Sequence, residues 1–260
     1  MTTTRPVALV TGASAGIGAA YARRLAAQGY DLLLVARRAD RLHKLAAELA
    51  LRHGVRAEPL PADLTSDTDL KSVEDRIARE EHLEFLLNNA GFGVSGRFYE
   101  APLDAQDAMH RLHVMAILRL SHAALRKMTA RGKGAVVNVA SVAGFVCRPG
   151  YTSYYSTKAW INCFTEGLYL ELKQARSPVR VQALCPGYTV TEFHDVIKFD
   201  RKRVPASMWT SAEQVVDASL EGLKHDKLFV VPGWRYKFIV LLLRLMPRPL
   251  LHATSSWGSA

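Results

Sequence analysis

A chain of 260 residues, 49% of them apolar and 22% charged, can form one large domain with its own core, without disulfides or metal to hold it. Its three cysteines, Cys147, Cys163 and Cys185, share no C-x-x-C spacing. That argues against a disulfide framework or a zinc site and for a reducing compartment. The formal charge of +10 does not select nucleic acid, because the basic residues are scattered and lack an interleaved aromatic patch. Acidic small molecules, acidic carrier proteins and anionic lipid surfaces suit it equally. The first residues, Met1 to Pro6, are too short and polar for a signal peptide, so a cytoplasmic location is the default expectation.

Residues 6–12 form a short apolar run ending in glycine, as a buried parallel strand does. The turn Gly12-Ala-Ser-Ala-Gly16-Ile17-Gly18 follows, then an Ala/Arg/Leu-rich helical stretch to about Gln28. Glycines let the backbone come close to a ligand, and the following helix aims free N–H groups and its positive dipole end there. That combination suits a pyrophosphate. The second strand, Asp31–Ala36, ends at Arg37-Arg38, where an NAD site would place an acidic residue for the ribose 2′-hydroxyl. An arginine pair matches a 2′-phosphate instead, so NADPH is expected over NADH, with Ser14 as a further phosphate contact. The alternative is that both arginines only begin the solvated face of the next helix.

Strand and helix then alternate. Val55–Ala62 reads as a strand ending at Asp63-Leu64, where a carboxylate can accept from an adenine amino group. Leu83–Leu87 is another buried strand and runs into Asn88-Asn89-Ala90-Gly91, small enough for close approach to the cofactor. A helix is expected over about 104–130, a strand over 134–140, the next helix over 153–174 and a sixth strand over 179–184. Pro186-Gly187-Tyr188-Thr189 follows that strand. Residues 192–210 are polar, basic and poorly periodic, as a lid would be. A helix over about 211–223 and a strand over 228–231 complete the pattern. Seven strands alternating with helices predict a Rossmann-like, doubly wound parallel α/β sheet with helices on both faces.

The stretch from Ser141 to Lys158 carries the chemistry. Tyr154 and Lys158 are four residues apart and share a helical face. A phenol titrates near pH ~10, and a nearby ammonium lowers that value, which lets tyrosine exchange a proton with a carbinol or ketone oxygen. Ser141, at the end of a strand, can hold the same oxygen. The plainer alternative is a helix tyrosine beside a solvated lysine.

Taken together, Thr11-Gly-Ala-Ser-Ala-Gly-Ile-Gly18, Asn88-Asn-Ala-Gly91, Ser141, Tyr154-x-x-x-Lys158 and Pro186-Gly187 resemble the short-chain dehydrogenase/reductase family. The form resembled is the NADP-preferring one of about 250 residues. The likeness runs to about Gly233, which leaves residues 1–233 as a single domain and 234–260 as an apolar, basic extension. It implies Tyr154 as general acid in reduction, Lys158 on the tyrosine and the nicotinamide ribose, Ser141 on the substrate oxygen and the Thr189 backbone on the carboxamide. It also implies a homodimer or homotetramer. Where the family carries an asparagine that holds a relay water, this chain has Leu112-His113-Val114. His113 can bind a water or shuttle protons, or be an ordinary helix histidine.

Phe92, Phe98, Phe145, Val146, Tyr151 and Tyr188 are expected to line an apolar pocket, which favours a bulky hydrophobic ketone or aldehyde over a sugar. Candidates are a 3-oxoacyl thioester, a steroid-like ketone or a lipid carbonyl. Residues 234–251 either pack over the cleft or a neighbouring subunit, or lie on anionic lipid as a peripheral contact. The competing reading of the whole chain is a catalytically weak NADP(H)-binding sensor.

Overall fold

The computed structural model describes residues 4–193 and 199–255; residues 194–198 of the expected lid lie outside the described residues. Strands β1 Val7–Thr11, β2 Asp31–Ala36, β3 Ala57–Pro61, β4 Leu83–Asn88, β5 Ala135–Val139, β6 Arg180–Leu184 and β7 Phe229–Val230 form one sheet. Their order is β3-β2-β1-β4-β5-β6-β7, and every pair is parallel.

The two-residue period of a strand explains why β1 is apolar throughout. Ala8 and Val10 face one layer with Tyr21, Leu25, Val215 and Val216. Val7 and Leu9 face the other with Leu70, Val73, Ile77 and Leu120. Both faces are covered, as a parallel sheet requires. The first layer comes from α1 Gly16–Ala27, α2 Ala39–His53 and α7 Ala212–Lys224. The second comes from α3 Asp67–Arg79, α5 Ile117–Arg131 and α6 Thr152–Gln174. The Ser211 side chain caps α7 in a reciprocal box with Gln214, the arrangement that satisfies two helix-end donors at once.

The single helix expected over 104–130 is three pieces. Leu103–His110 (α4) passes through a π-helical turn, Arg111–Ala116, into α5. Such a turn inserts a residue and shifts the phase of the helix, and it turns His113 fully inward. The C-terminal stretch forms α8 Trp234–Leu245 and α9 Arg248–Ser255. Tyr236 and Val240 of α8 join a third apolar cluster with Ile117, Ile161 and Cys185.

A buried polar chain fixes α6 on the sheet. The Asn88 side-chain amide donates to Ser121 Oγ at 3.0 Å and to Asn138 Oδ1 at 2.8 Å, and Asn138 donates to Thr165 Oγ1 at 3.0 Å. β4, β5, α5 and α6 are thereby tied at one level. Asn138→Ala leaves the buried Asn88 donor unpaired, so it should lower stability by about 1–3 kcal/mol. By contrast, Arg23→Ala removes an exposed pair with Glu48 and should cost at most about 1 kcal/mol. Urea denaturation of both variants checks the contrast.

Candidate active site

The carboxyl ends of β1 to β6 open into one cleft of about 640 Å³. The chain reverses direction across the sheet between β1 and β4, the switch point where open α/β sheets bind ligands. Gly12, Ser14, Gly16, Ile17, Arg37, Arg38, Asp63, Leu64, Asn89, Ala90, Gly91, Ser141, Tyr154, Lys158, Pro186, Gly187 and Thr189 all line it.

The glycine-turn end of the cleft is a cradle of bare backbone. Gly12 has φ +66°, and a Cβ there would stand 2.6 Å from Asn89 Nδ2. A Cβ on Gly18, just behind the cleft wall, would meet Gly12 O at 2.3 Å. Thr11 Oγ1 accepts from the Asn89 and Ala90 N–H groups at 2.9 and 3.0 Å, which pins the end of β4 to the glycine turn. No side chain caps the start of α1, so its first N–H groups are left for an anion. This donor set fits a nicotinamide dinucleotide.

At the end of β2 Arg38 is exposed but held in place. Its guanidinium donates to Ser14 Oγ at 3.0 Å and to Glu192 at 2.7 Å. Arg41 donates to the other Glu192 oxygen at 2.5 Å. Both arginines hold the Glu192 carboxyl below its ordinary range. Arg37 is 71% exposed and stands 3.9 Å from Asp63. Arg37 and Arg38 were legible in the sequence, whereas Arg41 and Glu192 did not stand out there. Arg41 falls three residues on from Arg38, one helical turn, and that spacing was a usable signal. Glu192 pairs across 154 positions, where no local pattern reaches.

Ser141, Tyr154 and Lys158 meet in the same cleft. Ser141 Oγ accepts from Ala143 N at 3.1 Å and donates to the Pro186 carbonyl at 3.3 Å. The hydroxyl also stands near enough to Tyr154 to lower the phenol's pKa. Lys158 is 6% exposed; its Nζ donates to Val139 O at 2.8 Å and stands 5.7 Å from the centre of the Tyr154 ring.

The electrostatics differ from the expectation that the ammonium simply lowers the phenol. Burial pushes Tyr154 up to about 12, against the lowering effect of Ser141. Burial brings Lys158 down to about 7. Helical spacing sets the distance between the two groups but not their contact with water, and here withdrawal from water dominates.

His113 does not line the cleft. It is fully buried behind Tyr154, with ring centres 6.0 Å apart. Its Nδ1 is 3.0 Å from Thr157 Oγ1. Burial and then the Lys158 charge hold its pKa well below the ordinary value, so it is neutral near pH 7.

The apolar part of the cleft contains Phe92, Val146, Tyr151 and Tyr188 as expected. Phe145, half-buried, instead packs on Phe229 at 5.9 Å against the third apolar cluster, and Phe98 is 54% exposed. Their places are taken by Tyr236, Ile239 and Leu243 of α8, together with Met208. The Tyr236 hydroxyl accepts from Tyr188 N at 3.0 Å and donates to Met208 O at 2.7 Å.

Comparison with known proteins agrees with this geometry. Residues 6–202 match the family described as short chain dehydrogenase. The very-long-chain 3-oxoacyl-CoA reductase of Anas platyrhynchos is 34% identical over 203 residues, which are 75% of this chain and 64% of that protein. The chain thus matches less than two thirds of that relative's length. A short-chain dehydrogenase from Sphingobium yanoikuyae, solved in complex with NADPH, is 36% identical with a TM-score of 0.84 over 98% of each chain. The bulky-bulky ketone specific alcohol dehydrogenase from Comamonas testosteroni is 33% identical with a TM-score of 0.80, covering 99% of this chain and 98% of that one. A family match over three quarters of the sequence, on a sheet of this order, makes the chain a member of the short-chain dehydrogenase family.

Proposed function

We propose that this protein is an NADPH-dependent reductase of a bulky hydrophobic ketone or aldehyde, with Tyr154 as the general acid. Membership of an oxidoreductase family supports the reaction class. The observation that carries the finer reading is the meeting of Ser141, Tyr154 and Lys158 in one cleft with the glycine cradle. When bound, the nicotinamide supplies the hydride.

The chain's own residues supply positioning and the proton. Ser141 and Tyr154 line the cleft as neighbours, so a carbonyl oxygen between them can accept from both hydroxyls. Tyr154 gives its proton to that oxygen as charge develops there, which leaves a phenolate. Lys158, brought down to about 7 by burial, stabilises that negative charge as its ammonium form, with any proton it lacks taken from solvent. His113 acts through Thr157, whose Oγ1 donates to the Tyr154 carbonyl at 3.0 Å; it positions the tyrosine.

Cofactor choice rests on Arg38. A 2′-phosphate can take over its guanidinium from Glu192, exchanging a single carboxylate charge for a more highly charged anion, whereas a ribose hydroxyl cannot. Ser14 lies within the same contact. The Sphingobium yanoikuyae structure in complex with NADPH supports this choice. The apolar wall of Phe92, Val146, Tyr188, Ile239 and Leu243 supports a large apolar substrate, as do the oxoacyl and bulky-ketone relatives. Arg148, exposed and lining the same cleft, suits the anionic end of a thioester carrier.

Tyr154→Phe should lower kcat for ketone reduction by about 10²–10⁴-fold with NADPH affinity retained. His113→Leu should lower kcat by less, and His113→Asn should recover most of that loss. A ketone panel assayed for NADPH oxidation reads all three. Tight NADPH binding by the wild type with no turnover on any member would favour the sensor reading.

Arg38→Ala should weaken NADPH binding by about ten-fold or more and leave NADH nearly unchanged. Glu192→Gln, which removes the competing carboxylate, should tighten NADPH. Fluorescence titration with both cofactors decides, and equal wild-type affinities would overturn the preference.

Lys158 sets a pH dependence of stability. Its ordinary value is 10.5, and in the fold it titrates at about 7. Between those values the unfolded chain binds the extra proton, so stability rises with pH across that window, and the burial cost is full below it. Lys158→Met should therefore be more stable than wild type at neutral pH, with the advantage shrinking toward pH ~10. Urea denaturation of the cofactor-free proteins at several pH values measures it; a pH-independent difference would contradict the assignment.

A further inference from the structure

Helix α8 is apolar on two opposite faces. Tyr236, Ile239, Val240 and Leu243 face the protein, buried or half-buried. Trp234, Phe238, Leu241, Leu242 and Leu245, at three- and four-residue steps on the other side, are 43–72% exposed. A surface helix that only packs on a core needs one apolar stripe. In α9, Leu250 is 57% exposed as well.

The charged residues that this segment itself carries are all of one sign. Arg235 and Lys237 flank the outer stripe, Arg248 starts α9, and no acidic residue follows Asp226 in the sequence. The Arg235 guanidinium lies over the Trp234 ring at 4.8 Å, an aromatic and a cation together at one end of the stripe. A two-fold pairing of this face with a second copy would bring uncompensated arginine and lysine together across the interface. An anionic lipid surface complements both the stripe and the charges. No helix among the described residues is long and apolar enough to cross a membrane, so the contact is one of lying on the surface.

We propose that the outer face of α8, continued by α9, docks on an anionic lipid bilayer with the helix in the plane of the interface. Ile239 and Leu243 on the inner face line the cleft, so docking brings the cleft wall to within about one helix diameter, ~10–12 Å, of the lipid. If the reductase reading above holds, a hydrophobic carbonyl would enter from the bilayer itself. The docking does not depend on that reading.

The test uses the full chain and vesicle co-sedimentation, with phosphatidylcholine alone and with added phosphatidylglycerol. The wild type should bind the anionic vesicles about ten-fold or more better than the neutral ones, and high salt should weaken that binding. The double variant Phe238→Ser, Leu241→Ser should lose most of it. Lys237→Glu, which leaves both apolar faces intact, should lose part. Circular dichroism and NADPH titration confirm that each variant is folded, and they separate a failed docking from a failed cofactor site. Unchanged vesicle binding by the folded variants would overturn the proposal. So would an outer-face substitution that dissociates a dimer in sedimentation velocity while wild-type protein ignores vesicles, because a second copy would then own the face.

Discussion

Keeping Lys158 out of water is the constraint on which the rest of the site depends. Its ammonium has a hydrogen bond to Val139 O, which does not restore the solvation it loses, and the group is pulled toward the neutral amine. The same withdrawal pushes the Tyr154 phenol upward. Each group alone resists ionising, yet each would stabilise the other's charge, because their attraction is strong where water is excluded. A pair of this kind changes state when charge develops beside it. In the proposed reduction that moment is proton donation to the substrate oxygen. The arrangement works only if the two side chains hold their separation, and the Asn88, Asn138 and Thr165 chain clamps α6 to β4 and β5 for that purpose.

The parts of this architecture that were legible in the sequence are those set by neighbours along the chain. The two-sided burial of β1 appears as an unbroken apolar run, and the glycine turn appears because a Cβ at Gly18 would collide with the Gly12 carbonyl. The four-residue step from Tyr154 to Lys158 placed both groups in the cleft. What the sequence did not disclose depends on distant partners. Glu192 joins the β2 end of the cleft only when folding brings it to Arg38 and Arg41. Phe145 and Phe98 looked equivalent to the pocket aromatics, but the first found Phe229 and the second faces outward. The π-helical turn at Arg111–Ala116 shifts the helix phase by a residue, so no regular period could align His113 with its surroundings.

The C-terminal helix shows how such a distant contact shapes the cleft. Gly187 has no side chain, and a Cβ there would lie 2.1 Å from the Tyr236 ring. The ring therefore packs directly on backbone, and no side chain stands between them to absorb movement. Its hydroxyl joins Tyr188 N to Met208 O, so one side chain spans the two ends of the segment between the sixth strand and α7. Tyr188 also stacks on Phe199 at 5.5 Å and packs on Trp209 at 5.4 Å. Close packing and two hydrogen bonds thus tie α8 to Tyr188 and Met208, which line the cleft. A surface that engages the outer face of this helix would meet the same element whose inner face lines the apolar part of the cleft.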